Sequence, residues 1–339
     1  MQLQNLSPKI IKYIRKQGFR EIKLNPVIET KYIRGVNLKK YLFTFNDDKG
    51  VSFSLRPDLS LMSLIQFSKT KNKKKKKVFY KGESYRKNKH ILSQIGWEIY
   101  NSNNQTDDFE VLKNSIVVFK KITNKKGYLR IGNLELFFSL VNQLEIPDRW
   151  KLRLVQNIWN QKYFYEILSR LETNKDLDEG EIKVDKKIFY KMQKLDPNKI
   201  IAGRTVNEIL KRFDMKINKD PRTPEGKKSA RIIKKFLRIK CSIEEAPKIL
   251  SEFFDKNKLN IKIADDYFPI RKNKFKNFNI EYCSSEIPDV EIYSGLVFSI
   301  NFLKKNKYIK IINGGRFDQM SSSLGLRPIK AVGSAINFI

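Results

Sequence analysis

Several features that mark common classes of protein are absent from this sequence of 339 residues. It has no run of about 18 or more apolar residues, which argues against a transmembrane helix. Its first residues, MQLQNLSPKIIKYIRKQGF, lack the apolar segment of a signal peptide. Two cysteines, Cys241 and Cys283, provide neither a disulfide framework nor a zinc-binding spacing, so no metal site is expected. From these absences we expect a cytoplasmic protein.

Sequence patterns of common cofactor and catalytic sites are also missing. There is no phosphate-binding loop, dinucleotide fingerprint or serine-nucleophile elbow, so no cofactor is predicted. His90 is the only histidine, which excludes catalytic schemes that need two, and we interpret it as an exposed loop residue. With 40% hydrophobic and 12% aromatic residues, the composition is that of a folded globular protein.

Negative charge is scarce: 69 lysines and arginines against 36 acidic residues give a net charge of +33. Such a balance raises the possibility of nucleic-acid binding, because phosphate contacts scale with basic residues. The lysines are nevertheless spread along the whole chain. The run over residues 71–77, KNKKKKK, has no interleaved aromatic residue and is typical of a solvated loop. Specific nucleic-acid binding is therefore not expected.

The N-terminal third combines helix and strand patterns. Residues 8–18 predict a helix with Pro8 near its start and Gly18 at its end, and residues 19–27 predict a strand. Residues 41–55 predict a hairpin that turns at Asp47-Asp48-Lys49-Gly50. A helix follows Arg56-Pro57-Asp58-Leu59-Ser60. Asp58 or Ser60 would cap this helix, or Asp58 would instead hold an ammonium group at the edge of the sheet.

The remaining patterns divide the chain into sheet and helical parts. Residues 107–121 predict a helix, and 127–131 a strand. Residues 147–254 are helical in pattern. Further strands are predicted at 259–265, 278–283, 295–302, 308–312 and 331–338. The fold class is α+β: an antiparallel sheet domain over 1–145 and 256–339, flanked by helices, with a helical insertion over 146–255.

The stretch 78–101, VFYKGESYRKNKHILSQIGWEIYN, predicts a hairpin with a possible binding face. Gln94 and Glu98 are four residues apart, so both point to one face of a strand, and Gly96 leaves room between them. Arg86 sits at the other arm of the hairpin. An amide, a carboxylate and a guanidinium on one face suit a small zwitterion such as an amino acid. A solvated face with scattered charges is the alternative.

Four motifs in order resemble class II histidyl-tRNA synthetases and their relatives that are not synthetases. LRPDLS at 55–60 resembles the family's LRP(E/D)xT motif, and FYKGESYR…SQIGWEIYN at 79–101 resembles motif 2, with Arg86 at its invariant arginine. YSGLVF at 293–298 resembles YYTGxVF, and NGGRFD at 313–318 resembles GGGRYD. The resemblance spans the sheet domain and implies a synthetase-like sheet with a helical insertion.

The resemblance also implies a histidine-binding set of side chains. Asp58, Ser60 and Gln94 would face the amino group of histidine. Glu98 and Tyr293 would face its imidazole, and Arg86 a carboxylate or phosphate oxygen. By the same resemblance, the pocket wall would comprise Gly295, Gly314, Gly315 and Arg316. The glycine pair after a strand predicts either a tight turn or a close backbone approach to a ligand.

The departures from the family argue against amino-acid activation. Pro288 stands where synthetases carry a charge-stabilising arginine, and Ile292 replaces the first tyrosine of the motif that ends in YSGLVF. Losing one preorganised donor typically costs about a hundredfold or more in rate. The loop between Arg86 and Gln94 is shorter than in synthetases. We also expect neither the ATP-binding arginine of motif 3 nor an anticodon-binding domain.

The relatives that fit these departures are the regulatory subunits of ATP phosphoribosyltransferase, whose helical insertion resembles residues 144–154 and 202–213. This resemblance implies a chain without catalytic residues that assembles with the short-form catalytic subunit, usually as a hetero-octamer. Histidine would be the feedback effector of this first step of histidine biosynthesis. The alternatives are a synthetase-derived RNA-binding or charging protein, and an amino-acid-modifying enzyme similar to asparagine synthetase A or the lysyl-transfer paralogues.

Overall fold

The structure, a computed structural model, forms two compact units. It describes residues 3–33, 41–70, 74–87, 91–102, 105–172, 179–201, 204–217, 224–264, 267–270, 275–288 and 292–338. The first unit comprises residues 1–137 and 238–339, and the second comprises residues 138–237. Among the described residues, no helix combines the length and apolarity that a membrane span requires.

The first unit is built on strands with helices packed against them. Its strands are β1 (Arg20–Glu21), β2 (Val27–Glu29), β3 (Thr44–Asn46), β4 (Ser52–Leu55), β5 (Lys76–Ser84), β6 (Leu92–Tyr100) and β7 (Gly127–Asn133). Its helices up to β7 are α1 (Leu3–Lys16), α2 (Leu59–Ser68) and α3 (Gln105–Ile122), with a 3-10 turn at Thr30–Ile33. Helix α4 (Leu134–Gln143) follows β7 directly.

The second unit is predominantly helical. It contains α5 (Asp148–Asn157), α6 (Gln161–Glu172), α7 (Glu179–Met192), α8 (Val206–Ile217) and α9 (Pro224–Leu237), with a small hairpin of β8 (Ile200–Ile201) and β9 (Arg204–Thr205). Helices α6 and α9 pack together through buried apolar side chains that include Phe164, Leu168 and Phe236. An ion pair of 2.6 Å between Lys234 Nζ and Glu172 Oε2 joins the same two helices.

After the second unit the chain returns to the sheet. The returning elements are β10 (Lys240–Ser242), α10 (Ala246–Lys256), β11 (Phe278–Cys283), β12 (Leu296–Lys304), β13 (Lys307–Arg316), α11 (Met320–Ser323) and β14 (Ala331–Phe338). The nine-stranded sheet has the order β1-β5-β6-β14-β13-β12-β7-β11-β10, and a separate sheet has the order β2-β4-β3. Among the pairs that the described residues form in the large sheet, β1 with β5 and β11 with β7 are parallel and the others are antiparallel.

The central strands of the large sheet are covered on both faces. Strand β6 buries every residue from Ile95 to Tyr100, so both of its faces are covered, as expected for a strand in the middle of a sheet. Helices α1 and α3 pack against this sheet, and α2 packs against β5 and β6. Asp58 starts α2 by accepting the backbone N–H of Leu61 at 3.0 Å, which confirms the predicted cap.

Several local predictions differ from the structure. Pro8 lies inside α1 rather than near its start, while Gly18 does end the helix, at φ +85°. The strand predicted at 19–27 is reduced to β1 and the beginning of β2. The strand predicted at 259–265 is not found: residues 259–264 alternate in burial, but within the described part of the chain no strand pairs with them, and Asp265 lies outside the described residues.

The other differences concern the ends of the predicted segments. Gly314 and Gly315 lie within β13, so they form no turn. Residues 238–255, which the sequence pattern assigned to the helical insertion, group with the sheet unit. The reason is β10, a strand of three residues that pairs with β11 at the sheet edge and is too short for a periodic pattern. His90 lies outside the described residues, as do its two neighbours Asn88 and Lys89 of the shortened loop.

Candidate functional site

A cavity of about 170 Å³ opens on one face of the large sheet, where β6, β14 and β13 lie side by side. Its lining comprises Asp58, Ser60, Arg86, Leu92, Gln94, Glu286, Pro288, Ile292, Tyr293, Val297, Phe298, Lys310, Asn313, Phe317, Gly333, Ser334, Ala335 and Asn337. Drug-sized ligands usually occupy roughly 300 Å³ or more. The cavity therefore suits a small molecule better than a nucleotide.

The floor of the cavity is a row of amide side chains from three adjacent strands. Gln94 Nε2 donates to Asn337 Oδ1 at 2.5 Å, across a pair of directly opposed residues of β6 and β14. Asn337 Nδ2 donates in turn to Asn313 Oδ1 of β13 at 2.9 Å. Tyr293 forms a side-chain hydrogen bond with Asn313 as well. This row, which we call the amide floor, fixes the orientation of each amide and presents donors and acceptors to a ligand.

Sequence reasoning found Gln94 but missed the other two amides of the floor. Asn337 is the residue of β14 directly opposite Gln94, and Asn313 lies on the next strand. Their proximity depends on the order of strands that are far apart in sequence, which local periodicity does not encode. The sequence did contain one signal for Asn313: in NGGRFD it replaces the first glycine of the family's GGGRYD motif.

Asp58 and Arg86, which were predicted to bind opposite charges of a ligand, pair with each other. Arg86 Nη2 lies 2.9 Å from Asp58 Oδ2, and both side chains are largely buried. Arg86 Nε also donates to the carbonyl oxygen of Pro57 at 2.7 Å. Because the second oxygen of Asp58 caps α2, this ion pair joins the start of the helix to the segment after β5.

A second ion pair lies on the lining, and sequence reasoning did not find it. Lys310 Nζ is 3.6 Å from Glu286 Oε1. Pro288, which stands at the position of the synthetase arginine, also lines the cavity. The four charged residues of the lining thus form two opposed pairs, one from Asp58 and Arg86 and one from Glu286 and Lys310.

Glu98 is the predicted site residue that lies behind the lining. Its side chain is 1% exposed, and its carboxylate accepts hydrogen bonds from Tyr80 at 2.7 Å and from Tyr100. The room predicted above Gly96 is filled by Tyr80, whose ring would lie 2.5 Å from a Cβ at position 96. Tyr80 also bonds Ser60 at 2.9 Å, so Glu98 is linked to the cavity through Tyr80 and Ser60.

Burial dominates the protonation of this group of side chains. It raises the pKa of the Glu98 carboxyl to about 7, although the hydrogen bonds from Tyr100 and Tyr80 partly oppose the shift. The pKa values of Tyr80 and Tyr100 lie well above the ordinary value, mainly because of burial and secondly because of the Glu98 charge. Burial also raises the pKa of Tyr293, so that its hydroxyl stays protonated and can donate.

The residues proposed for the pocket wall do not appear on the cavity lining. Gly314 and Gly315 allow close packing within the sheet, since a Cβ on either would lie 2.3 Å from a backbone oxygen of a neighbouring strand. Arg316 points elsewhere: its Nη2 lies 2.6 Å from Asp108 Oδ1, and its Nη1 lies 3.2 Å from Asp318 Oδ1. The structure therefore brings Asp58, Ser60, Arg86, Gln94 and Tyr293 together, without the wall residues.

Comparison with known proteins gives consistent matches over the length of the chain. Proteins named ATP phosphoribosyltransferase regulatory subunit from Rhizobium rhizogenes and Sinorhizobium fredii are each 22% identical to it, over 89% of this chain and 86% of theirs. An ATP phosphoribosyl transferase (HisG:HisZ) complex from Thermotoga maritima contains a chain with 16% identity and a TM-score of 0.59, covering 100% of this chain and 98% of that one.

A second solved structure and a family model agree with this fold. The structure is an ATP phosphoribosyltransferase regulatory subunit/histidyl-tRNA synthetase from Bacillus halodurans, with 16% identity and a TM-score of 0.58 over 98% of this chain and 76% of that one. These likenesses confirm the predicted class II synthetase-like fold. The family model described as Histidyl-tRNA synthetase matches residues 1–197, which is more than half of the 339 residues. The chain therefore belongs to the histidyl-tRNA synthetase family.

Proposed function

We propose that this chain is the regulatory subunit of a two-chain ATP phosphoribosyltransferase. The observation that carries the proposal is the match to proteins of that name, over 89% of this chain and 86% of theirs. In this role the chain is not itself an enzyme: it forms a hetero-oligomer with a separate catalytic subunit. That subunit condenses ATP with phosphoribosyl pyrophosphate in the first step of histidine biosynthesis. The regulatory role is favoured over RNA binding, because the curated relatives carry that name.

The charges of the cavity support a role in binding rather than in amino-acid activation. Activation of an amino acid by ATP requires cationic groups that stabilise the charge of the phosphates. On this lining, Arg86 and Lys310 are each already paired with a carboxylate, and Pro288 provides no cation. A zwitterion, by contrast, can meet one acidic and one basic group at each of the two pairs.

Mixing experiments test the proposed role directly. We expect the purified chain to increase the rate of phosphoribosyl transfer by the short-form catalytic subunit from the same genome, by at least about tenfold. The reason is that, in the proposed role, the catalytic subunit becomes active when it assembles with this chain. The measurement is the initial rate of phosphoribosyl-ATP formation as this chain is titrated in. Bovine serum albumin at equal concentration controls for protein crowding. A rate equal to that of the catalytic subunit alone would reject the proposal.

Histidine is the proposed ligand of the cavity. Asp58, Ser60, Gln94 and Tyr293 provide acceptors and donors around a volume suited to an amino acid. In this proposal Glu98 does not contact the ligand. It accepts a hydrogen bond from Tyr80, which bonds Ser60 of the lining. The amide floor supplies the polar atoms that the ligand can reach. Feedback would follow from linkage: histidine favours one conformation of the complex, and the assembly state changes the affinity for histidine by the same factor.

Substitution of Asn313 tests this ligand assignment. Asn313→Leu removes one polar member of the amide floor, and the loss of one hydrogen bond costs about 1.5 kcal/mol, or roughly a tenfold weaker dissociation constant. Asn279→Leu is a matched control, because Asn279 lies on β11 and is not part of the lining. Calorimetry of the assembled complex with histidine provides the measurement. Equal affinities of wild type and Asn313→Leu would contradict the assignment.

The proposed pathway places the chain in the cytoplasm, where ATP and phosphoribosyl pyrophosphate are available. Both cysteines, Cys241 and Cys283, are unpaired, as is usual in a reducing compartment. Fractionation with an antibody against this chain is a suitable check. Recovery together with the catalytic subunit is the expected result.

A further inference from the structure

Lys310 is a charged residue of the cavity lining that a regular strand would not place there. It precedes Asn313 of the amide floor by three residues on β13, and side chains three apart in a regular strand point to opposite faces of the sheet. The register of β13 against β12 shifts by one residue at Ile311, which is the geometry of a β-bulge. Bulges re-aim side chains and are common beside functional sites.

The register shift brings the side chains of Lys310 and Asn313 to the same face of the sheet. Asn313 is directly opposite Ser299 on β12. Lys310 is directly opposite Asn301, which follows Ser299 by two residues and therefore points to the same face. A hydrogen bond of 2.9 Å from Asn301 Nδ2 to Ser299 Oγ agrees with this placement. The extra residue in β13 thus adds a cation to the face that carries the amide floor.

Glu286, the charged neighbour of Lys310, is held in place by its backbone. Its N–H donates to the carbonyl oxygen of Cys283 at 3.0 Å, and its own carbonyl oxygen would lie 2.9 Å from a Cβ at Gly132 on β7. Its side chain is only 12% exposed. Within the described part of the chain the carboxylate accepts no hydrogen bond, although carboxylates so far buried usually do. It is therefore available to a donor on a ligand.

The contact between Glu286 and Lys310 is loose. Lys310 Nζ lies 3.6 Å from Glu286 Oε1, beyond hydrogen-bonding distance, and the Lys310 side chain is 48% exposed. The pair of Asp58 and Arg86 is tight by comparison: its atoms are 2.9 Å apart, and Arg86 also donates to the carbonyl oxygen of Pro57. Separating that pair would leave a largely buried charge without its counter-charge. A charged ligand therefore meets Glu286 and Lys310 at lower cost.

We propose that Glu286 and Lys310 bind the head group of an amino-acid ligand, with its α-carboxylate at Lys310 and its α-ammonium at Glu286. Both groups of the ligand are attached to one carbon atom, so they reach two opposite charges that lie side by side. Under the proposed function, on which this assignment rests, the ligand is histidine. Lys310 thereby takes the carboxylate contact that the family resemblance implied for Arg86.

Histamine tests the role of Lys310, because it is histidine without the carboxylate. Calorimetry of the full-length chain with each ligand gives the ratio of the two dissociation constants. We expect wild type to bind histidine about thirtyfold more tightly than histamine, since hydrogen bonds to charged groups are among the stronger ones. Lys310→Met should reduce this preference to about threefold or less, because it removes the partner of the carboxylate. Histamine binding to the variant shows that its cavity is intact.

Two further variants serve as controls. Lys307→Met removes the same charge from an exposed position of β13 outside the lining. It should leave the preference for histidine within about twofold of wild type, because distant exposed charges are screened. Glu286→Gln should weaken the binding of both ligands, since both carry the ammonium group, without lowering the preference for histidine.

The outcomes separate this assignment from the proposed function. A preference for histidine that Lys310→Met leaves unchanged, or that Lys307→Met lowers equally, overturns the assignment. Wild type that binds neither ligand, or both equally, overturns it as well, while activation of the catalytic subunit by the same chain would still support the proposed function. Conversely, the expected series of affinities in a chain that activates no catalytic subunit supports the assignment and rejects the proposed function.

Discussion

Replacing Glu98 with glutamine is expected to remove a loss of stability that wild type shows as the pH rises from about 4 to 8. Burial raises the pKa of Glu98 from 4.5 to about 7 in the folded chain. Between these values the folded state binds more protons than the unfolded state, so the free energy of unfolding falls as the pH rises. Below about pH 4.5 the carboxyl is protonated in both states and contributes no pH dependence.

The expected size follows from the shift. At 1.36 kcal/mol per unit of pKa, full ionisation costs roughly 3 kcal/mol in wild type, and glutamine does not ionise. The difference in free energy of unfolding between Glu98→Gln and wild type should therefore grow by about 3 kcal/mol over this range, whatever its value at pH 4. Urea unfolding at several pH values measures this difference.

A second variant provides the opposite change. The Tyr100 hydroxyl donates to the Glu98 carboxylate and favours its ionised form. Tyr100→Phe removes this donor, so the pKa of Glu98 should rise further and the loss of stability with pH should become larger. Parallel pH profiles for wild type, Glu98→Gln and Tyr100→Phe would show that Glu98 does not titrate as its burial predicts.

Gly314→Ala is expected to cost about 3 kcal/mol or more of stability, while Gly295→Ala is expected to change it by less than about 0.5 kcal/mol. A Cβ at Gly314 would lie 2.3 Å from the backbone oxygen of Gly333 and 2.7 Å from Phe298 Cζ. Both neighbours belong to strands packed in the middle of the sheet and cannot move aside at low cost. At Gly295 the nearest atom is Arg316 Cδ at 3.5 Å, an ordinary contact.

These two glycines make a controlled comparison, because both come from motifs shared with the family and the substitution is identical. Urea unfolding of each variant gives the two free energies, and circular dichroism verifies the native fold. Equal losses for the two variants would mean that the close approach of β13 and β14 at Gly314 is not what limits the side chain there. A loss confined to Gly295→Ala would contradict the packing of the sheet.

Local patterns predicted the parts of the fold that depend on neighbouring residues. The arms of the β5–β6 hairpin follow from alternation, and the Asp58 cap follows from a polar residue before an apolar run. The family motifs added the positions of Arg86 and Tyr293. Residues 259–264 show the limit of alternation: their burial alternates, yet a strand needs a neighbour that pairs with it, and no strand among the described residues does so.

The composition of the site was less predictable than its location. Asn313, Asn337 and the pair of Glu286 with Lys310 meet at the cavity because β13 and β14 lie next to β6 and β12, a long-range order that no local pattern contains. The position of Glu98 depends on Tyr80, which fills the space above Gly96 that the sequence left empty. Side-chain packing of this kind follows only from three-dimensional neighbours.

The two ion pairs on the cavity lining make it an electrically neutral compartment within a chain of net charge +33. A ligand with net charge loses its hydration there without gaining a compensating charge. A zwitterion instead places each of its charges near an opposite one, and its own net charge is zero. The long-range attraction of the surface brings anions to the protein without favouring them in the cavity, so under the proposed function it is balance of charge, rather than its amount, that would select histidine.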